Sequence, residues 1–301
     1  MKIRGGHKLY IKDLCKRKPV ISLEVFPPKP DAPLDNVLKV IEEVQDLKPD
    51  FISVTYGAGG NSRAYTVEIA NLVKNKYNIE ALAHLTCISS TKKDILNLVE
   101  QLKEKNIKNI LALRGDLPQN QDENPTIIDY QYAQDLIKDL QTMGEICLGA
   151  ACYPEGHLES PSLNQDLKNL KAKVDSGVDF LITQLFFDNQ LFYNFLEKTD
   201  ISGISCPISA GIMPVINKKQ IERITNLCGA TLTPKFKKVL EKYEHKPEAL
   251  KEAGIFYATE QIIDLLANGV DGIHLYGMNR PEVVKQIFTN IDTIRSSAYE
   301  N

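Results

Sequence analysis

Residues 80–114 read EALAHLTCISSTKKDILNLVEQLKEKNIKNILALR and contain two apolar runs separated by a helical pattern. The outer runs, 80–87 and 107–114, have the length and apolar character of strands in a parallel sheet covered by helices. Between them, apolar residues recur at spacings of three and four, the period of an amphipathic helix: Ile95, Leu98, Val99 and Leu102. Thr91 and Asp94 have the spacing of a capping box, with Asp in place of Glu or Gln. The stretch therefore predicts a strand–helix–strand unit.

The same alternation continues along the whole chain. Candidate strands recur at 19–26, 50–56, 80–87, 107–114, 145–153, 178–187, 207–213 and 270–276. Eight such units predict an α/β protein with a closed (β/α)8 TIM barrel, and an open doubly wound sheet is the alternative. The segment 217–268 has room for two or three extra helices between the seventh and eighth strands. We interpret it as an insertion in one barrel domain spanning residues 1–301.

Composition excludes several classes of protein. Hydrophobic residues make up 43% and charged residues 25%, which is ordinary globular usage. A formal charge of −3 gives no overall attraction to nucleic acid or to an anionic membrane. Six cysteines without a CxxC pair favour a reducing compartment. The sequence contains neither a signal-peptide apolar region nor a run of about 18 apolar residues, so we predict a cytoplasmic protein.

Polar side chains occur where seven of the eight predicted strands end. In a TIM barrel the carboxyl ends of the strands form the active site. A single polar residue there is usually a cap or a rim group, but a series of them indicates a site. The series comprises Glu24, Thr55, Tyr56, His84, Arg114, Asp116, Tyr153, His157, Gln184, Tyr276 and Arg280. The seventh strand instead carries Gly211, which indicates close approach of a ligand to the backbone or simply a bend.

The residue types also exclude several reactions. No lysine ends a strand, which argues against a Schiff-base aldolase. No cluster has the spacing of metal ligands, so we predict no metal site. The motifs GxSxG, GxGxxG and GxxxxGK do not occur, which removes the hydrolase elbow and the usual nucleotide loops. Carboxyl groups, amides and a cation remain, a set suited to holding a cofactor that supplies the chemistry.

Glu24 is the candidate general acid. It alternates with Ser22 on one face of the first strand, so its side chain is predicted to point into the barrel. Apolar surroundings disfavour a charged carboxylate, which suits Glu24 to donate a proton. The alternative is a structural ion pair with Arg114 or Arg280. Asp116, which follows Arg-Gly, could equally cap a helix.

Eight segments resemble methylenetetrahydrofolate reductases of the bacterial single-domain type and follow the order of that family. They are LEVFPPK (23–29), FISVTYGA (51–58), AHLTC (83–87), LALRGDLP (111–118), AACYPEGH (150–157), NLKAKVDSGVDFLITQLFFD (169–188), GIMPV (211–215) and HLYGMNR (274–280). Each segment alone is weakly specific. Together they cover nearly the whole chain and are highly specific.

The resemblance implies a TIM barrel that binds FAD non-covalently and reduces 5,10-methylenetetrahydrofolate to 5-methyltetrahydrofolate. Such an oxidoreductase, which acts on CH–NH donors, works by a ping-pong route in which NADH or NADPH reduces the flavin and the folate follows. The product supplies methyl groups for methionine synthesis. The resemblance also implies a homo-oligomer, and the chain is expected to carry no regulatory domain after the barrel.

The resemblance further implies roles for individual residues. Glu24 would be the general acid that helps to open the imidazolidine ring of the folate. Asp116 would lie near the flavin and contact the pterin, and Gln184 would serve both folate and nicotinamide. Thr55 would meet the nicotinamide. The remaining implied folate contacts are Tyr276 and Arg280.

By the same matching, the flavin would lie against Tyr56, Ala58, His84, Arg114, Gly115, Asp116, Ala133, Tyr153, His157, Asp166, Asn169 and Lys173. Arg114 and Lys173 can meet the charge of a pyrophosphate. The chain departs from the family at Ala172, where Arg is frequent, and at Leu158, where Pro is frequent. The 119–129 loop also looks long, and each departure bears on flavin affinity.

Two other functions remain open from the sequence. One is a flavin- or folate-binding protein that lacks turnover and acts as a partner or regulator. The other is a different tetrahydrofolate-dependent barrel enzyme, such as a methyltransferase. A methyltransferase would bind pterin but not FAD, so bound flavin distinguishes it from a reductase.

Overall fold

The protein is a closed barrel of eight parallel strands. The structure, a computed structural model, describes residues 10–28, 32–56, 60–88, 90–116 and 129–298, without the side chains of 60–63. The strands are β1 (Val20–Val25), β2 (Phe51–Val54), β3 (Glu80–Thr86), β4 (Asn109–Leu113), β5 (Cys147–Cys152), β6 (Phe180–Thr183), β7 (Ile208–Ile212) and β8 (Gly272–Leu275). They are hydrogen-bonded in chain order, and β8 closes onto β1. The predicted TIM barrel is confirmed, and the open sheet is wrong.

Helices follow the strands and cover the outside of the barrel. In the described part of the chain they are α1 (Ile11–Cys15), α2 (Asp35–Val44), α3 (Gly60–Asn71), α4 (Lys92–Glu104), α5 (Ala133–Thr142), α6 (Leu163–Asp175), α7 (Asn189–Ile201), α8 (Lys218–Cys228), α9 (Pro234–Tyr243), α10 (Pro247–Ala267) and α11 (Pro281–Ser297). A 3-10 turn, Gln45–Leu47, continues α2, and a π-helix, Leu72–Lys76, continues α3. Thr91 and Asp94 form the predicted capping box at the start of α4.

The predicted insertion between the seventh and eighth strands contains three helices, α8, α9 and α10. They pack around a separate apolar cluster that includes Ile221, Phe236 and Leu250. This cluster also takes in Phe187 and Met213 at the ends of β6 and β7, so the insertion packs onto the barrel. None of the helices in the described ranges is long and apolar enough to cross a membrane.

Helix α1 closes the amino-terminal end of the barrel. Ile11 and Leu14 pack into an apolar cluster with inward-facing side chains such as Phe51 and Phe180. The backbone N–H of Ile11 donates to Oδ1 of Asn109 at 3.0 Å. Because this end is filled, the opposite end of the barrel is left for a site.

The inward-facing side chains change from apolar to polar along the barrel axis. Side chains alternate between the two faces of a strand, so β1 presents Val20, Ser22 and Glu24 inward. In the strand pairing, Glu24 lies opposite Ser53 of β2, and Ser22 lies opposite His274 of β8. The register therefore gathers the polar residues of several strands near one end.

Candidate active site

Five polar side chains meet inside the barrel towards the carboxyl ends of the strands. We call Ser22, Glu24, Ser53, His84 and His274 the barrel cluster. Ser22, Ser53, His84 and His274 are buried, and the side chain of Glu24 is 17% exposed. These residues come from β1, β2, β3 and β8, which are neighbours in the closed sheet.

His274 is held by two serine hydroxyls. Ser22 Oγ lies 2.7 Å from Nδ1 of His274, and Ser53 Oγ lies 3.3 Å from Nε2. Ser22 Oγ also lies 3.1 Å from the carbonyl oxygen of Ile273, and the tautomer of His274 decides to which of the two groups its one hydroxyl proton is donated. The imidazole also stacks on Phe51 with ring centroids 6.0 Å apart. These contacts fix the orientation of the imidazole ring of His274.

Glu24 lies between two imidazoles. Its Oε2 atom is 3.7 Å from Nε2 of His84 and 3.9 Å from Nε2 of His274. Burial lowers the pKa of His84 to about 4, and the neighbouring Glu24 only partly opposes that shift. His84 is therefore neutral at pH 7, and its approach to Glu24 is not an ion pair. Its Nε2 atom is buried and has no hydrogen-bond partner in the described chain.

The alternative ion pairs for Glu24 are wrong. Arg114 pairs instead with Glu159, from the loop between β5 and α6, through two hydrogen bonds of 2.5 and 2.7 Å. Arg280 is exposed at the start of α11, and its guanidinium lies 3.8 Å from Glu282. Both arginines are therefore engaged elsewhere, and the carboxyl of Glu24 faces imidazoles.

Tyr276 borders the barrel cluster, and Gln184 directly follows β6. The hydroxyl of Tyr276 donates to the carbonyl of Thr183 at 2.7 Å, and its ring meets His274 edge-on at 5.1 Å between centroids. Burial raises the pKa of Tyr276 well above its usual value. Oε1 of Gln184 accepts from the backbone N–H of Leu185 at 2.9 Å. Both residues stand at strand ends, as predicted.

Gly211 of β7 makes room for Tyr276. A Cβ atom at Gly211 would lie 2.4 Å from the carbonyl oxygen of Thr183 and 2.7 Å from the Tyr276 ring. Its backbone N–H donates to Oγ1 of Thr183 at 2.8 Å. The groups that approach Gly211 closely in the structure are therefore the Thr183 carbonyl and the Tyr276 ring.

Further predicted site residues follow the second and fourth strands. Thr55 and Tyr56 are half-buried after β2, while Ala58 lies outside the described residues. Gly115 adopts φ +86°, and a Cβ there would come within 2.9 Å of Thr86 and Ile88. Asp116 is exposed after this turn. The structure does not bring its carboxyl into the barrel cluster.

A cavity of about 510 Å³ opens beside the ends of β4 and β5. Seven of the residues implied as flavin contacts line it: Arg114, Ala133, Tyr153, His157, Asp166, Asn169 and Lys173. Asp166, Asn169 and Lys173 share one face of α6, because they are three, four and seven positions apart. Its volume lies within the range of about 300–1,000 Å³ that is usual for ligand pockets.

The charged side chains of this cavity are partly desolvated. Nζ of Lys173 donates to the carbonyl of Ala151 at 2.6 Å, and burial lowers the pKa of Lys173. Burial also raises the pKa of Asp166, while the His157 backbone N–H and Lys173 oppose that shift. The ring of Tyr153 meets His157 edge-on at 4.7 Å. Burial raises the pKa of Tyr153 to about 12, so it stays protonated at neutral pH.

Two of the three departures from the family, Ala172 and Leu158, lie in or next to the lining of this cavity. Ala172 is exposed and lines it, and its carbonyl accepts from Nε2 of Gln134 at 3.2 Å. Leu158 is 61% exposed and lies over Gly229, where a Cβ would meet it at 2.6 Å. Most of the 119–129 loop, residues 119–128, lies outside the described residues.

Sequence reasoning did not predict Ser22, Ser53, His274 and Glu159 as residues of the site, although it placed Ser22 on the same strand face as Glu24. His274 stands two positions before Tyr276 in HLYGMNR, so strand alternation could have placed it inward. Glu159 has no comparable signal, because only the folded loop between β5 and α6 brings it to Arg114.

A closed parallel barrel with polar side chains at the carboxyl ends of its strands, beside a charged cavity, is typical of TIM-barrel proteins whose site lies at that end. The family profile "Methylenetetrahydrofolate reductase" matches residues 10–292. The chain belongs to the methylenetetrahydrofolate reductase family.

Similar proteins occur in bacteria and in plants. The chain is 34% identical to 5,10-methylenetetrahydrofolate reductase of Pectobacterium carotovorum subsp. carotovorum over 87% of each chain. It is 35% identical to a probable methylenetetrahydrofolate reductase (NADH) of Oryza sativa subsp. japonica, over 92% of this chain and 49% of that protein. The chain thus spans about half the length of its plant relatives.

A solved structure shares the fold. It is an uncharacterized protein from Clostridium thermocellum that binds two copies of 5-methyl-5,6,7,8-tetrahydrofolic acid. The two align with a TM-score of 0.69 at 14% sequence identity, over 96% of this chain and 99% of the other. At this identity the likeness concerns the fold alone.

Proposed function

We propose that the protein reduces 5,10-methylenetetrahydrofolate to 5-methyltetrahydrofolate with bound FAD and with NADH or NADPH as the electron donor. One observation carries the proposal: the barrel cluster and the cavity lie on adjacent strands. His84 of β3 pairs in register with Leu111 of β4, and the three residues that follow Leu111, Ala112 to Arg114, line the cavity. A ligand that extends from the cavity towards the barrel axis would therefore approach Glu24. Family membership supports the same activity.

The residues of the cavity fit an anionic dinucleotide such as FAD. Arg114 and Lys173 supply positive charge for a pyrophosphate, and Asn169 and Asp166 supply hydrogen-bonding groups. Buried Nε2 of His84, which has no partner among the described residues, offers one further contact. Held by these residues, FAD would supply the hydride-transfer chemistry between nicotinamide and folate.

Glu24 is the residue that we propose as the general acid. Its carboxyl is largely buried at the carboxyl end of the barrel, and the two neighbouring imidazoles are close enough to orient it. A proton held there would pass to a ring nitrogen of the folate as the imidazolidine ring opens.

The other roles that we propose come from the family resemblance. Gln184 would contact both the folate and the nicotinamide, and Thr55 the nicotinamide alone. Asp116 would contact the pterin, with Tyr276 and Arg280 as further folate contacts. Cytoplasmic location, homo-oligomer formation and a part in methionine synthesis stay predictions.

The visible absorption spectrum of the purified protein under anaerobic conditions tests the proposal. We expect a flavin spectrum that NADH or NADPH bleaches and that methylenetetrahydrofolate then restores. Flavin that neither nucleotide bleaches would favour a binding protein or another electron donor. A colourless protein that cannot be reconstituted with FAD would overturn the reductase assignment and leave a pterin-binding enzyme as the alternative.

A further inference from the structure

The cavity contains an ion pair that none of the roles above uses. Arg114 at the end of β4 and Glu159 in the loop before α6 both line the cavity. Both terminal nitrogens of the Arg114 guanidinium donate to the Glu159 carboxylate, at 2.5 and 2.7 Å. This two-point geometry is the one with which a guanidinium also binds phosphate. A diphosphate that uses Arg114 in this way would have to displace Glu159.

The charges of the cavity balance without a ligand. Apart from His157, the ionised side chains that line it in the described chain are Arg114, Lys173, Glu159 and Asp166. Lys173 is engaged with the carbonyl of Ala151, so Arg114 is the more accessible of the two cations. The hydrogen bonds from Arg114 lower the pKa of Glu159, so this carboxylate is charged at neutral pH.

Glu159 can leave Arg114 without unfolding the loop. Its side chain is 57% exposed, and water can solvate the released carboxylate. Its backbone N–H donates to Nδ1 of His157 at 3.1 Å, and the N–H of Ser160 donates to the His157 carbonyl at 2.9 Å. These bonds hold the turn independently of the Glu159 carboxylate. Exposed ion pairs contribute little to stability, so the pair is easily exchanged.

We propose that Glu159 is a built-in competitor for the anionic group of the ligand, which occupies Arg114 until a diphosphate displaces it. The inference rests on the proposed function, in which the cavity takes FAD. It assigns to Glu159 a part in setting how tightly the dinucleotide is held and how easily it exchanges. A residue that merely positioned Arg114 for the ligand would have the opposite effect on affinity.

The test is the affinity of the flavin-free protein for FAD, measured by quenching of flavin fluorescence. We expect Glu159→Gln to bind FAD about three- to tenfold more tightly than the wild type, given the small net strength of exposed pairs. In an Arg114→Gln background the same substitution should change affinity less than about twofold, because the competition has been removed. Glu260→Gln is the matched control, since Glu260 is an exposed partner of Lys235 and does not line the cavity.

Unchanged or weaker binding by Glu159→Gln would overturn the inference, as would an equal gain in the Arg114→Gln background. Binding of inorganic pyrophosphate and of ADP, measured by calorimetry, distinguishes a failure of this inference from a failure of the proposed function. If the wild type binds no FAD but Glu159→Gln binds pyrophosphate more tightly, Glu159 competes for anions and the cofactor assignment fails. If neither protein binds any of the three probes, both proposals fail.

Discussion

Oε2 of Glu24 lies 3.7 Å from Nε2 of His84, a buried nitrogen without a hydrogen-bond partner among the described residues. The pairing of β1, β2 and β8 brings a second imidazole, that of His274, to 3.9 Å from the same carboxyl oxygen. Two serines fix His274, whereas His84 keeps a ring nitrogen available for a ligand. The Glu24 carboxyl, which we propose as a proton donor, thus lies beside a ring nitrogen that makes no hydrogen bond to any described residue.

Glu24→Gln should separate the two half-reactions. The amide keeps the shape of the side chain but cannot donate an acidic proton. We expect normal FAD binding and normal flavin reduction by the nicotinamide, with folate reduction slower by about 10²–10⁴-fold, as for a lost general acid. Rapid mixing of each half-reaction measures both rates in one preparation. Normal folate reduction in this variant would remove Glu24 from the mechanism.

His84 should make stability depend on pH. Burial lowers its pKa to about 4 from an ordinary value of 6.5, so between these values the unfolded chain binds a proton that the folded chain does not. Stability therefore falls as the pH drops through this window. The contribution of His84 to the free energy of unfolding should be lower at pH 5 than at pH 7 by about 2 kcal/mol.

Urea unfolding of the wild type and of His84→Gln at both pH values measures this contribution. Between pH 7 and pH 5, the free energy of unfolding of the variant should fall by about 2 kcal/mol less than that of the wild type. His245→Gln is the control, because the side chain of His245 is 90% exposed. Equal losses in the wild type and in His84→Gln would show that His84 titrates normally in the folded protein.

Removal of a single hydroxyl should destabilise the barrel cluster. Ser22→Ala leaves Nδ1 of buried His274 without its partner at 2.7 Å. A buried polar group without a hydrogen bond costs about 1–3 kcal/mol, so the free energy of unfolding should fall by that amount. Ser296→Ala is the control at an exposed position and should change it by less than about 0.5 kcal/mol. A matching small effect at Ser22 would mean that His274 finds another partner.

The eight strands could be predicted because strands buried on both faces form nearly continuous apolar runs, as in residues 107–114. Their exact ends could not, since apolar residues such as Leu185 and Phe186 follow the last ladder pair of β6. Helix α1 was not predicted, because its five residues gain stability by filling the end of a barrel that the rest of the chain must first build.

The candidate site was predictable to the extent that strand ends converge in a barrel. This reasoning placed Glu24, His84, Tyr276 and Arg114 together at the carboxyl end of the barrel. The partner of Arg114 could not be predicted, because Glu159 is 45 residues distant in the chain and meets it only through the fold of a loop. The sequence offered Glu24 as a partner of Arg114 only as an alternative to its role as general acid.

Ala172 offers a test of the charge of the cavity. It is exposed, lines the cavity next to Lys173, and stands where the family frequently has arginine. Ala172→Arg should bind FAD more tightly by about three- to tenfold, because the added cation would attract the diphosphate of FAD, which Glu159 and Asp166 would repel. Flavin fluorescence during titration of the flavin-free protein measures the change. Ala172→Gln adds a long polar side chain without the charge and should bind FAD as the wild type does. If Gln produced the same gain as Arg, contact rather than charge would explain it, and raising the ionic strength should then leave the gain intact instead of reducing it.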